Sequence, residues 1–221
     1  MKLKIPIEYE KSFIKFLNCK IDLRNRVFIP RIETEFWVKK AIKELKIENC
    51  KLKIDALDIF AGSGCIGIAI LKNIKNSFVD FVDIDKKAIG QIKINLKLNK
   101  IPRERYRIYK SDLFEKIKNK NYNYIFANPP YVAKERLKEV QPSVLKYEPK
   151  TSFLAGKRGL FYIRKFLKEA KRFLKERGTV YLEFDPLQKK EIEDILKKKG
   201  YKNFKFFKDQ FKKYRFVKVQ I

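Results

Sequence analysis

The sequence predicts an α/β fold: a doubly wound, seven-stranded and mostly parallel sheet with an antiparallel last strand, preceded by a small N-terminal β-hairpin. Three observations carry this expectation. From Asp55 onward, short apolar runs alternate with segments of helical periodicity, the pattern of βαβ units. The glycine turn "AGSG" joins the first of these runs to the first helical segment. The last two strand-like runs lie too close together in sequence for a crossover, so they must pair antiparallel.

Near the N-terminus, "CKIDL" and "RVFIP" flank Arg24 and Asn25 and read as the hairpin, and "ETEFWVKKAIKEL" (33–45) reads as a helix leading into the core. "DALDIF" (55–60) is the first buried strand, followed by a helix from about Cys65 to Ile74. "SFVDFVDID" is the second strand. In the helix "KKAIGQIKINLKLN" that follows, Ile89, Ile92 and Leu96 share one face. "RYRIYKSD" is the third strand and "YNYIFAN" the fourth. The stretch from Val132 to Gly159, with Pro142, Pro149 and Gly156, offers no long element, and its length marks a functional loop. Leu160, Ile163, Leu167, Ala170 and Leu174 then form an amphipathic stripe whose helix is expected to stop at Gly178. "TVYLEFD" is the fifth strand, "PLQKKEIEDILKKKG" a helix with Pro186 near its start, and "NFKFFKD" and "YRFVKVQI" the closing hairpin. Residues 1–32 are read as an N-terminal extension and 33–221 as the main domain.

Composition narrows the chemistry. Lys+Arg outnumber Asp+Glu by 54 to 26, a net charge of +28 in 221 residues. Such a balance attracts polyanions such as RNA or the ribosome. The lysines are spread over almost every segment, however, which a general compositional bias explains equally well. Histidine is absent, which excludes Ser-His-Asp and Cys-His nucleophile systems. Cys19, Cys50 and Cys65 have no metal-ligand spacing, and no metal site is expected. With no run near the roughly 20 apolar residues of a membrane helix and no signal-peptide pattern, a soluble cytoplasmic protein is expected.

Gly62, Gly64 and Gly67 form GxGxxG between a strand and a helix, where glycine permits a tight turn and close approach of a ligand to the backbone. Asp58 precedes this turn, Asp83 falls at the end of the second strand, and Asp112 follows the third. At those strand ends, carboxylates can accept hydrogen bonds from ribose hydroxyls and an adenine amino group. Nicotinamide enzymes satisfy the same pattern.

The fourth strand ends in "NPPY" (128–131). Proline lacks an amide proton, so Pro129 and Pro130 cannot continue a paired strand, and they stiffen a turn that exposes carbonyl acceptors. An Asn128 side-chain oxygen and a Pro129 carbonyl that each accept from one NH2 group would aim its lone pair. Tyr131 would pack on a flat acceptor group. This turn and the antiparallel last strand favour S-adenosylmethionine over a nicotinamide cofactor.

These segments resemble the peptide chain release factor glutamine N(5)-methyltransferases of the HemK/PrmC type, within the class I S-adenosylmethionine-dependent fold. The likeness runs from about Phe16 to the C-terminus. It rests on "FIPRIETE" (28–35), "DIFAGSGCIGIAI", "FVDID", "SDLF", "NPPY" and "KYEPKTSFLAGKRGL" (146–160). It implies that Asp58, Phe60, Ala61, Gly62, Gly64, Asp83, Ile84, Asp112, Leu113 and Asn128 line the cofactor site. It also implies that Asn128, Pro129, Pro130 and Tyr131 grip the glutamine of the release factor GGQ loop, with Arg31, Glu33 and Glu148 shaping the substrate side. The product would be S-adenosylhomocysteine, and the protein would act as a monomer. Two departures stand out: Phe60 occupies a position where the family commonly has glycine, and the motif region begins where the family has an N-terminal helical domain, which is expected to be missing. NPPY also occurs in DNA adenine and ribosomal RNA guanine methyltransferases. Methylation of an exocyclic amine of RNA or DNA, or of a ribosomal-protein glutamine, is therefore the alternative reading.

Overall fold

The computed structural model describes residues 4–48 and 52–221. A short helix, α1 (Ile7–Glu10), leads to the hairpin β1 (Phe13–Phe16) and β2 (Cys19–Asp22), and then to α2 (Ile32–Glu48). The main sheet is built from β3 (Ile54–Ile59), β4 (Ser77–Asp83), β5 (Tyr106–Lys110), β6 (Tyr122–Ala127), β7 (Leu174–Glu183), β8 (Asn203–Lys208) and β9 (Tyr214–Gln220). Its helices are α3 (Cys65–Asn73), α4 (Lys86–Leu98), α5 (Pro142–Tyr147), α6 (Phe161–Glu169) and α7 (Lys189–Lys198).

The strand order is β5-β4-β3-β6-β7-β9-β8. β3 pairs in parallel with both β4 and β6, and β9 runs antiparallel between β7 and β8. The seven-stranded, doubly wound class I methyltransferase arrangement expected from the sequence is therefore present, with the small hairpin as a separate two-stranded sheet. The chain reverses its winding between β3 and β6, and in open α/β sheets ligands bind at the carboxyl ends of strands flanking that point.

Each face of the sheet has its own apolar layer. α2, α3, α4, the hairpin residues Phe16 and Ile21, and Leu23 just after the hairpin cover one face, and α6 and α7 cover the other. The ring of Trp37 stacks against Phe126, Tyr181 and Phe216, so α2 is locked to three strands by one side chain. Asp85 starts α4 by accepting the Lys87 amide proton, and Ile92 and Leu96 of that helix are fully buried.

Two elements depart from the sequence reading. The hairpin pairs Phe13–Phe16 with Cys19–Asp22, and the RVFIP run is not a strand. Its turn places Leu17 at φ 49°, a left-handed conformation that leucine does not advertise. The RVFIP backbone spends its hydrogen bonds on side chains instead: Val27 accepts from the Tyr9 hydroxyl and the Ile29 amide donates to Glu148. The second departure is the helix expected to end at Gly178. α6 ends at Glu169, a 3-10 turn runs to Phe173, and Leu174 is already paired with Tyr122 in β7. Leu174 continues the apolar spacing because it is buried in the same layer, and Gly178 lies in a bulge of β7 where a side chain would strike Lys175 and Leu174.

The stretch 132–159 consists of short turns and α5, tied by an isolated parallel bridge between Val132 and Leu154. Cys19 and Cys65 are buried free thiols, and Cys50 lies outside the described residues. No described helix is long and apolar enough to cross a membrane.

Candidate active site

The loops following β3, β4, β5 and β6 enclose a cavity of about 300 Å3, and a second cavity of about 140 Å3 adjoins it. Phe28, Asn128, Pro130 and Ser152 line both. The larger is of the size that takes a small organic ligand.

The turn after β3 forms one wall. Phe60, Gly62 and Gly64 all have positive φ, at 62°, 54° and 78°. Phe60 thus adopts the backbone conformation that glycine gives at no cost, at a penalty of roughly 1–2 kcal/mol. Edge contacts of its ring with Tyr162 and Phe166 offset this strain. Gly62 faces open space, so a ligand can approach its main chain. Gly64 does not line the cavity; it precedes the first residue of α3.

Asp83 lines the cavity and organises the rim. Its Oδ2 accepts the Gly62 amide proton at 2.8 Å and its Oδ1 accepts that of Asp85 at 2.8 Å. Each oxygen keeps a second lone pair for a ligand. Burial raises its pKa against the pull of the Asp85, Gly62 and Ile84 amides. Asp58 lies behind the turn instead of on the lining, with its Oδ2 accepting from the Gly67 amide at 2.8 Å and its Oδ1 without a partner among the described residues. Complete burial pushes its pKa up to about 8, the Gly67 amide opposing and the charge of Asp83 adding to the rise. Ala61, Ile84, Asp112 and Leu113 line the cavity, and Asp112 is paired with Lys165 at 2.6 Å.

NPPY stands at the junction of the two cavities. Asn128 and Pro130 line both, and Pro129 and Tyr131 line the smaller. The Asn128 Nδ2 donates to Thr34 Oγ1 at 3.3 Å, which leaves its Oδ1 as the end of the amide available to a ligand. Among the described residues no donor reaches the carbonyl oxygens of Pro129 and Pro130. Tyr131 is held at both ends: its hydroxyl donates to Glu183 Oε1 at 3.2 Å, and its carbonyl accepts from Gln188 Nε2 at 2.9 Å. Burial, then the Glu183 carboxylate, raises the pKa of this phenol, so it remains a donor.

On the substrate side, Arg31 lines the smaller cavity, lies over the Phe28 ring and pairs with Glu148. Glu148 is buried behind it, raised in pKa by burial with Arg31 opposing, and Glu33 lines neither cavity.

Thr34, Glu183 and Gln188 are parts of this site that the motif reading missed. Glu183 carried a signal: a carboxylate inside the apolar strand "TVYLEFD" has to be paired if it is buried. Thr34 lies inside the segment 28–35 but nothing local singles it out, and Gln188 carried no signal, because what they touch is 94 and 57 residues away in sequence.

The methyltransferase small domain family matches residues 41–146. A T. thermophilus 16S rRNA N2 methyltransferase, solved in complex with AdoMet and guanosine, superimposes with a TM-score of 0.67 at 16% identity, over 94% of this chain and 49% of that one. That likeness concerns the fold. Sequence similarity reaches further: the release factor glutamine methyltransferase of Flavobacterium psychrophilum is 36% identical over 99% of this chain and 76% of its own length. That of Thermodesulfovibrio yellowstonii is 33% identical over 93% and 73%. Identity at that level over nearly the whole chain and about three quarters of each relative means that this chain belongs to the release factor glutamine methyltransferase family.

Proposed function

We propose that the protein transfers a methyl group from S-adenosylmethionine to the side-chain amide nitrogen of the glutamine in the GGQ motif of a peptide chain release factor, leaving S-adenosylhomocysteine. The observation that carries this reading is the meeting of two cavities at Asn128, whose amide is turned so that its oxygen is free.

The residues of the larger cavity suit a nucleoside. Asp83 accepts from ribose hydroxyls, Asp112 accepts from an adenine amino group, and the apolar side chains of Ile84 and Leu113 flank the base. Open space over Gly62 admits the ligand close to the main chain. When bound, S-adenosylmethionine supplies an electrophilic methyl group on a sulfonium. The smaller cavity takes the glutamine side chain. A planar amide nitrogen is a weak nucleophile because its lone pair is delocalised. Asn128 Oδ1 and the Pro129 carbonyl accept its two N–H bonds and fix the direction of that lone pair. As positive charge builds on the nitrogen its protons become more acidic, so both acceptors bind the transition state more tightly than the ground state. The proton leaves to water, and a chain without histidine needs no imidazole for it. Tyr131, anchored by Glu183 and Gln188, packs on the amide plane.

The partner is a release factor, met by a monomer. The net charge of +28 supports a second acceptor class, an exocyclic amine of RNA. The test is methyl transfer from labelled S-adenosylmethionine to release factors carrying GGQ or GGA, with mass spectrometry of the loop peptide. Label on the GGQ glutamine alone is expected. Label on ribosomal RNA with none on protein would replace this reading by the second.

A further inference from the structure

Glu183 is the last residue of β7, 1% exposed, and three donors converge on it. Its Oε2 accepts from Thr34 Oγ1 at 2.8 Å and from Trp37 Nε1 at 2.6 Å, and its Oε1 accepts from the Tyr131 hydroxyl at 3.2 Å. Thr34 is itself 1% exposed. A hydroxyl has one proton to give. Because Thr34 gives its proton to Glu183, its oxygen can only accept from Asn128, and Asn128 must present Nδ2 to it. The acceptor end of Asn128 is thereby fixed by a carboxylate two hydrogen bonds away.

We infer that Glu183 and Thr34 are positioning residues for methyl transfer, setting which end of the Asn128 amide faces the acceptor nitrogen while the same carboxylate holds Tyr131 on the far side of the turn. The inference rests on the glutamine-methylation reading above. Neither side chain touches the acceptor in this scheme. They act through Asn128 and Tyr131, and a carboxylate is required because it offers two accepting oxygens. An amide at 183 offers one, so one arm must reverse: an N–H on the Thr34 side makes that hydroxyl accept, frees its proton for Asn128 and strands the Trp37 N–H, and an N–H on the other side makes the Tyr131 hydroxyl accept. With the Thr34 hydroxyl removed, Asn128 loses the only described partner that distinguishes its two ends.

Trp37 separates this role from plain structural support. It shares Glu183 Oε2 but lies outside the path to Asn128. Its replacement by Phe therefore costs stability without turning the amide.

The experiment measures kcat and KM for a GGQ release factor, with cofactor affinity by calorimetry and thermal unfolding for each variant. Thr34→Val is expected to lower kcat about tenfold, the worth of one positioning hydrogen bond, with cofactor affinity within about threefold. Glu183→Gln is expected to lower kcat at least fivefold, and the double variant to lose less than the product of the two. Thr34→Ser, which keeps the hydroxyl, should retain at least a third of the rate. Trp37→Phe should lower the unfolding temperature and keep kcat within threefold. A wild-type kcat in Thr34→Val, a loss confined to cofactor affinity, or Trp37→Phe falling in kcat as far as Thr34→Val would overturn the inference. If the wild-type enzyme labels RNA instead of the release factor, the substrate reading fails, and the same variants decide the relay with RNA as acceptor.

Discussion

Gly159 and Gly200 form a natural pair for measuring how tightly the loop 157–160 is pressed on NPPY. Both have a left-handed φ, 67° and 73°, so replacing either by alanine incurs about 1–2 kcal/mol of backbone strain. Around Gly200 there is open space. A methyl group on Gly159 would overlap the Tyr131 carbonyl oxygen and come within 2.9 Å of its carbon and 2.5 Å of Gln188 Nε2. Carbon atoms pack best at roughly 3.5–4.0 Å, so the Tyr131 backbone has to retreat by about 1 Å. Overpacking of this kind costs about 1–3 kcal/mol. Gly159→Ala should therefore unfold roughly 2–12 °C below Gly200→Ala in a chain of this size. A 1 Å displacement of a positioning group costs about 100-fold in rate. Gly159 does not line the larger cavity, so cofactor affinity should be unchanged. The assay pairs differential scanning fluorimetry with single-turnover methyl transfer. Equal unfolding temperatures, or a Gly159→Ala enzyme as fast as Gly200→Ala, would refute the claim that this loop sets the position of Tyr131.

Asn128→Ala should reduce methyl transfer by at least 100-fold while cofactor affinity stays within about threefold, whereas Asp83→Ala should weaken cofactor binding at least tenfold by removing the acceptor for the Gly62 and Asp85 amides; calorimetry separates the two, and the reverse pattern would exchange their roles. Asp58 holds its proton to about pH 8 in the folded protein, against about 4 unfolded, so its contribution to stability is full below pH 4 and falls by about 1.4 kcal/mol per unit as pH rises toward 8. Asp58→Asn lacks that fall, and its unfolding temperature should gain on the wild type between pH 5 and 8; parallel profiles would show that Asp58 is ionised throughout. Arg31→Ala leaves Glu148 buried without its cation, at a cost of about 2–3 kcal/mol given that Arg31 is partly exposed. Adding Glu148→Gln should recover part of this in urea unfolding, and a double variant no more stable than the single would mean that the pair is not coupled.

The strands β3, β4, β6 and β7 and the glycine turn were legible because apolar runs and turn residues are local signals. Leu17 at a left-handed φ and Leu174 continuing a helical stripe from inside a strand are local signals that point the wrong way, and packing overrides both. At the site, the sequence identifies groups that end strands, such as Asp83 and NPPY. It does not identify what holds them. Asp58 reads as a ligand group but lies behind the turn, and the partners of Asn128 and Tyr131 come from α2, β7 and the turn before α7, which only the tertiary fold assembles.

The stacking of Trp37 on Phe126, Tyr181 and Phe216 has a consequence during synthesis. About 180 residues separate Trp37 from Phe216, so α2 leaves the ribosome roughly 10–35 s before its last stacking partner has been made. Through that interval the indole, the only one in the chain, has at most Phe126 and Tyr181 of its three stacking partners and lacks the cover that Phe216 gives. Its fluorescence in a series of chain lengths should therefore reach the native position only once β9 is complete, a clock for the closing of the sheet.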